Sequence, residues 1–177
     1  MAKRVEIVFL HEDTQHQSFG TAFLNKITRV RRIEPVRMGR RSMLVNDFPR
    51  QLKAVRSRGG KAALVVLIDA DHDSVQEIRE VLDRRLKEAD MPTISPEDPI
   101  FIAIPKWRIE NWIEYLRTGD TDEAAQGARL IDEASARPLA AKLHETCLNG
   151  PPLASPPPSL EQACTEWQRF RAKFLQP

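Results

Sequence analysis

Seven apolar residues in succession, Ala62 to Ile68, run directly into Asp69, Asp71 and Asp73 at alternate positions. A short, uninterrupted apolar run reads as a strand buried on both faces, as in the interior of a parallel sheet. Side chains two apart on an extended chain share a face, so Asp69 and Asp71 project together where that strand ends. Two unit charges about 4 Å apart repel by roughly 4 kcal/mol at an effective dielectric near 20. A hard divalent cation with oxygen ligands is the simplest group that offsets such repulsion. The one stretch therefore predicts a fold class and a metal site together.

The remaining pattern supports the same class. Val5 to Leu10 reads as a first strand, and Phe19, Phe23, Leu24 and Ile27 follow at helical spacing. Val30, Ile33 and Val36 alternate with arginines in a weaker strand. Met43, Leu44, Phe48, Leu52 and Val55 then repeat roughly as a helix, with Pro49 expected to kink it or to start it. Asp73 and Gln76 stand at capping-box spacing before a helix that turns Val75, Ile78, Leu82 and Leu86 inward. Ile100 to Ile104 is another short strand, and Ile109, Trp112, Ile113 and Leu116 form one helix face, with Trp112 expected in the core. Strands alternating with helices imply parallel pairing through right-handed crossovers. The expected architecture is a layered α/β domain over residues 1–118, a mostly parallel central sheet flanked by helices. Residues 119–177 are expected to be a helical, proline-rich extension packing on that domain or on a partner. Short helices are expected over 122–130 and 137–147 and irregular chain over 149–159, which holds five prolines in eleven residues. A last amphipathic helix over 160–175 carries Cys164, Trp167, Phe170 and Phe174 on one face.

In parallel sheets the site lies beyond the carboxyl ends of the strands. Glu12 follows the first strand, Asp69 and Asp71 follow the buried one, and Glu110 opens the helix after Ile100–Ile104, so four carboxylates converge there. Asp73 is expected to cap a helix and also to stand near the metal. His11 and His16, five apart across a strand-to-helix turn, show no metal-ligand spacing, and His72 reads as exposed. The net charge of +2 hides an asymmetry: residues 26–61 carry twelve Lys/Arg against two acids, and the rest of the chain fifteen against 23. That block, with Arg29, Arg31, Arg32, Arg37, Arg40 and Arg41, can supply phosphate contacts to nucleic acid or form an ordinary solvated face. No apolar run approaches the roughly 18 residues that would cross a bilayer. The N-terminal strand is too short for a signal-peptide core, so a cytoplasmic protein without membrane association is expected. Cys147 and Cys164, with no CxxC, indicate neither a disulfide framework nor a zinc site.

An acid after the first strand and an Asp-x-Asp after a later buried strand resemble the Toprim domain, the metal-binding fold of topoisomerases, bacterial primases and OLD-family nucleases. The segment Pro105-Lys106-Trp107-Arg108-Ile109-Glu110-Asn111-Trp112 is similar to a Pro…Glu-x-Trp stretch of small stand-alone Toprim-like proteins of bacterial defence loci. The likeness covers roughly residues 3 to 117. One departure is that Glu12 is followed by Asp13-Thr14 where the family has glycine.

The resemblance implies Mg²⁺ (or Mn²⁺) held by Glu12, Asp69, Asp71 and Asp73. Glu110 and Lys106 complete the implied catalytic group, and the implied reaction is phosphodiester hydrolysis of DNA or RNA. It also implies a defence role beside a separate ATPase, since this chain carries no Walker A motif. A non-catalytic Toprim-like subunit binding nucleic acid or protein in a larger complex is the alternative. A phosphorylated receiver domain fits less well, because receivers place their acid pair after strand one and a single Asp after the middle strand.

Overall fold

The apolar run becomes the strand β3 (Ala62–Leu67), and every one of its residues is buried. This computed structural model describes residues 5–128, 132–149 and 153–175. Strands β1 (Val5–His11) and β4 (Ile100–Ala103) flank β3, and β2 (Val30–Arg37) lies at the outer edge beyond β1. The sheet order is β2-β1-β3-β4, and all three pairings are parallel. The fold is therefore a layered α/β architecture with an all-parallel sheet.

Alternation along the strands divides the core into two. Ile7, Phe9, Ala63, Val65, Leu67 and Phe101 face one layer. That layer consists of α1 (Thr14–Leu24), α4 (Ile109–Thr118), α5 (Ala136–Asn149) and α6 (Pro158–Phe174). Val8, Leu10, Leu64, Val66, Ile68 and Ile102 face the other, made by α2 (Arg41–Arg56) and α3 (Val75–Glu88). The three-residue spacing of Val30, Ile33 and Val36 is accommodated by an irregularity in the pairing. Val30 lies opposite Val5 but Arg32 opposite Glu6, so Arg31 is the extra residue. Val30 and Ile33 then pack on the first core and Val36 on the second.

The helical C-terminal segment belongs to the same core as the sheet. Trp167 of α6 is fully buried and meets Phe101 of β4 and Phe23 of α1 with ring centroids 5.1 and 4.9 Å apart. Trp112 is buried as expected, and its indole N–H donates to Ser159 Oγ at 2.8 Å. Gly20 of α1 lies against the Phe9 ring, where a Cβ would collide with ring atoms. This absence of a side chain lets α1 cross β1 closely.

Several local expectations are corrected. Pro49 does not start the helix; α2 begins at Arg41 and runs through it. The proline ring is buried, and it both removes the N–H that Val45's carbonyl would have received and crowds that carbonyl. The cap of α3 is Ser74, not Asp73: Glu77 N–H donates to Ser74 Oγ at 3.1 Å and Ser74 N–H to Glu77 Oε2 at 2.7 Å. Serine and glutamate satisfy the reciprocal box better than the Asp–Gln pair one residue earlier. No helix forms over 122–128, and 129 and 130 lie outside the described residues. The segment 149–159 is not wholly irregular, since Pro158 opens α6, where a missing N–H costs nothing; its residues 150–152 are outside the described ones. Cys147 and Cys164 are joined as a disulfide, Cα–Cα 5.3 Å, linking α5 to α6. They stand 17 positions apart in sequence, and they meet only because both helices share one face of the sheet. Among the described residues no helix is long and apolar enough to cross a membrane.

Candidate metal centre

Asp13 closes the turn after β1 by capping α1, its Oδ1 accepting from His16 N–H at 2.9 Å. This puts His16 in the first turn of the helix, facing inward and 1% exposed. On the neighbouring strand the chain leaves β3 and presents Asp69, whose Oδ1 lies 2.9 Å from His16 Nε2. The same oxygen accepts from Ile109 N–H at 2.9 Å. Ile109 begins α4, and Arg108 before it offers no side-chain cap, so Asp69 caps that helix from another strand. Asp69 N–H donates to Glu12 Oε1 at 2.9 Å, which ties the end of β1 to the end of β3. One ligand atom from each of Glu12, His16 and Asp69 lies within 4.8 Å of the other two. One imidazole nitrogen and two carboxylate oxygens gathered this closely are a donor set for a single divalent cation.

The electrostatics of the cluster are uneven. Burial pushes the Glu12 carboxyl up to about 7; Asp69 and Asp71 add to the rise, while the positive His16 and the Asp69 N–H oppose it. For His16, burial works against the charge, but Asp69 and Asp13 outweigh it and hold the imidazole protonated well above its ordinary range. The second ring nitrogen, Nδ1, stands 3.2 Å from Asp13 Oδ1. Burial, with Asp69 and Asp13 in support, also raises the Glu110 carboxyl, which places Glu110 in the same field.

The structure turns Asp71 and Asp73 to a different partner. Arg41, first residue of α2, stands with Nη2 2.9 Å from Asp73 Oδ2 and Nη1 3.7 Å from Asp71 Oδ2, and donates to the Ala70 carbonyl at 2.8 Å. Asp71 has a φ of +51° and donates its N–H to the Trp107 carbonyl at 2.9 Å. Lys106 extends beneath this loop and spends its ammonium on the carbonyls of Asp71, His72 and Asp73, at 3.2, 3.2 and 2.6 Å. Its charge also sits 4.9 Å from the Trp107 ring centre. Lys106 thus holds the loop's shape. His72 is exposed and packs edge-on against Trp107.

The arginines also divide. Arg31 and Arg32 belong to the start of β2, with Arg29 just before it, and Arg37 belongs to its end, with Arg40 and Arg41 after it. At about 3.3 Å per residue, the two groups lie roughly 20 Å apart. Arg31 is paired with Glu6 at 3.6 Å and Arg32 with Glu34 at 4.0 Å, while exposed Arg37 and Arg40 stand at the edge that carries Glu12. Farther along the block, Arg56 holds Asp98 at 2.7 Å and Arg50 holds Asp47 at 2.6 Å. Much of the basic excess is thereby used within the fold.

His16 is the member of this cluster that its spacing from His11 did not reveal. The available signal was different: an Asp at the strand-to-helix turn followed three residues later by His is the spacing of a cap and the inward third position of its helix. Compared with protein families, curated proteins and solved structures, the chain matches none.

Proposed function

We propose that this chain is a Toprim-type, metal-dependent hydrolase of phosphodiester bonds in DNA or RNA. The observation that carries this reading is the meeting of Glu12 and Asp69 at the carboxyl ends of adjacent parallel strands, with the buried His16 imidazole beside them. A divalent cation there, Mg²⁺ or Mn²⁺, would polarise the phosphodiester and acidify a bound water. In a one-metal arrangement Glu12 would serve as the general base that takes that water's proton instead of as a ligand. Asp69, fixed by His16 and by the first N–H of α4, cannot swing away. Arg37 and Arg40 are placed to receive phosphates of the flanking strand. α2 supports them with a helix start that has no side-chain cap and follows Gly39 at φ +80°. On the Toprim resemblance, the protein would act in the bacterial cytoplasm as the effector of a defence module, with a separate ATPase as partner.

One observation favours a second reading. Arg41 already neutralises Asp71 and Asp73, so the acids that a two-metal centre would use are occupied by a side chain. A non-catalytic Toprim-like subunit that binds nucleic acid or protein would show this arrangement. Purified protein incubated with single- and double-stranded DNA and RNA, with Mg²⁺ or Mn²⁺, separates the two. Cleavage that Asp69→Asn abolishes supports the hydrolase. Nucleic-acid binding without cleavage under any of these conditions selects the subunit.

A further inference from the structure

We infer that the ion of this centre is a nitrogen-accepting first-row transition metal, of the Zn²⁺ or Fe²⁺ class, and that His16 is its direct ligand. The inference rests on the metal site of the proposed hydrolase, replaces Mg²⁺ or Mn²⁺ as its ion, and is read out by metal binding rather than by cleavage. The donor set decides it. Asp71 and Asp73 are turned to Arg41, and the Lys106 ammonium is committed to three carbonyls. Among the described residues, the one group of three mutually close His, Cys, Asp or Glu ligand atoms is Glu12, His16 and Asp69.

Mg²⁺ takes oxygen ligands and keeps several waters, and it gains little from a buried imidazole. Imidazole suits Fe²⁺, Ni²⁺, Cu²⁺ and Zn²⁺, and each of these binds a mixed nitrogen and oxygen site more tightly than Mn²⁺. His16 is also fixed in a way that suits a ligand. Its ring is 1% exposed, its backbone is pinned by the Asp13 cap, and Nε2 already points at Asp69 Oδ1. Nε2 now lies 2.9 Å from Asp69 Oδ1 and, on giving up its proton, is free to ligate a cation held by Glu12 and Asp69. Asp13, 3.2 Å from Nδ1, then stands where a carboxylate orients a metal-bound histidine.

The test uses the full chain after chelator treatment, with Zn²⁺, Co²⁺ as its spectroscopic substitute, Mn²⁺ and Mg²⁺ added separately. Calorimetric titration is expected to show Zn²⁺ and Co²⁺ binding at one equivalent, at least tenfold tighter than Mg²⁺. His16→Gln is expected to weaken Zn²⁺ and Co²⁺ at least tenfold, the scale of losing even an outer partner of a ligand, and to weaken Mg²⁺ far less. Because that substitution could unfold the chain, proton NMR of the native Co²⁺ form provides an independent readout. A strongly shifted imidazole N–H supports direct ligation. Its absence overturns the inference, and so does equal affinity for Zn²⁺ and Mg²⁺. Failure here and failure of the hydrolase reading are distinguishable. Mg²⁺-dependent cleavage without His16-linked Zn²⁺ binding sinks this inference alone, whereas His16-linked Zn²⁺ binding without cleavage sinks only the hydrolase.

Discussion

Two histidines of this protein are almost equally buried, His16 at 1% and His144 at 3% exposure, yet the fold holds them in opposite charge states. His16, at the acidic edge of the sheet, lies between Asp13 and Asp69 and stays protonated well above its ordinary range, against the penalty of burial. His144 lies in the aromatic interior against Phe23 and Trp167, at 4.8 and 5.8 Å between ring centres. There burial, helped by Arg171, lowers its pKa to about 4. Burial alone therefore does not decide the charge of a side chain; its partners do. The acidic edge stores charge in a fixed geometry, and the interior is built to exclude it.

The largest expected effect comes from removing a partner at the edge. Asp69→Ala leaves the buried His16 facing no Asp69 carboxylate and uncaps α4. A loss of about 3–5 kcal/mol follows, the usual cost of orphaning one member of a buried pair. Urea denaturation should read this directly, and a loss below 1 kcal/mol would mean that Asp13 alone sustains the charge. In the interior, the comparison is tested by pH. His144 has a folded pKa of about 4 against an ordinary 6.5, so its contribution is intact above pH 6.5 and is lost as pH falls towards 4. At 1.36 kcal/mol per unit, that is at most about 3 kcal/mol. His144→Phe should flatten this part of the stability profile between pH 4 and 6.5, and an unchanged slope would show that His144 is not its source.

A third substitution connects the two regions, because α1 carries His16 near one end and Phe23 near the other. Gly20→Ala places a methyl group into the Phe9 ring and should cost about 1–3 kcal/mol. Part of that cost should appear as weaker metal binding, since lifting α1 moves His16 off Asp69. A thermal melt with and without metal separates the two effects. The smallest effect is expected at Asp71→Ala. Asp71 is 39% exposed and 3.7 Å from Arg41, and partly exposed pairs of this kind contribute less than about 1 kcal/mol. A larger loss would mean that the loop at Asp71, with its φ of +51°, depends on the carboxylate as well as on Lys106.

The strands, the helices on both faces and the edge where the carboxylates gather were legible in the chain. Each rests on local pattern: the run Ala62–Ile68, the mostly apolar stretch Val5–Leu10, and the three- and four-residue spacing through Ile78, Leu82 and Leu86. The caps were less legible, because Asp73–Gln76 and Ser74–Glu77 are overlapping boxes and only the geometry of the turn chooses between them. The three aspartates after β3 looked equivalent in sequence and are not. Asp69 is drawn to His16, 53 residues away, and Asp71 and Asp73 to Arg41, with about 30 residues between. The Cys147–Cys164 bond was hidden for the same reason. Periodicity reports which side of an element meets the core, since that depends on neighbours three or four residues away. Which charge meets which, and therefore what the site can hold, depends on segments that only the packed sheet brings within hydrogen-bonding distance.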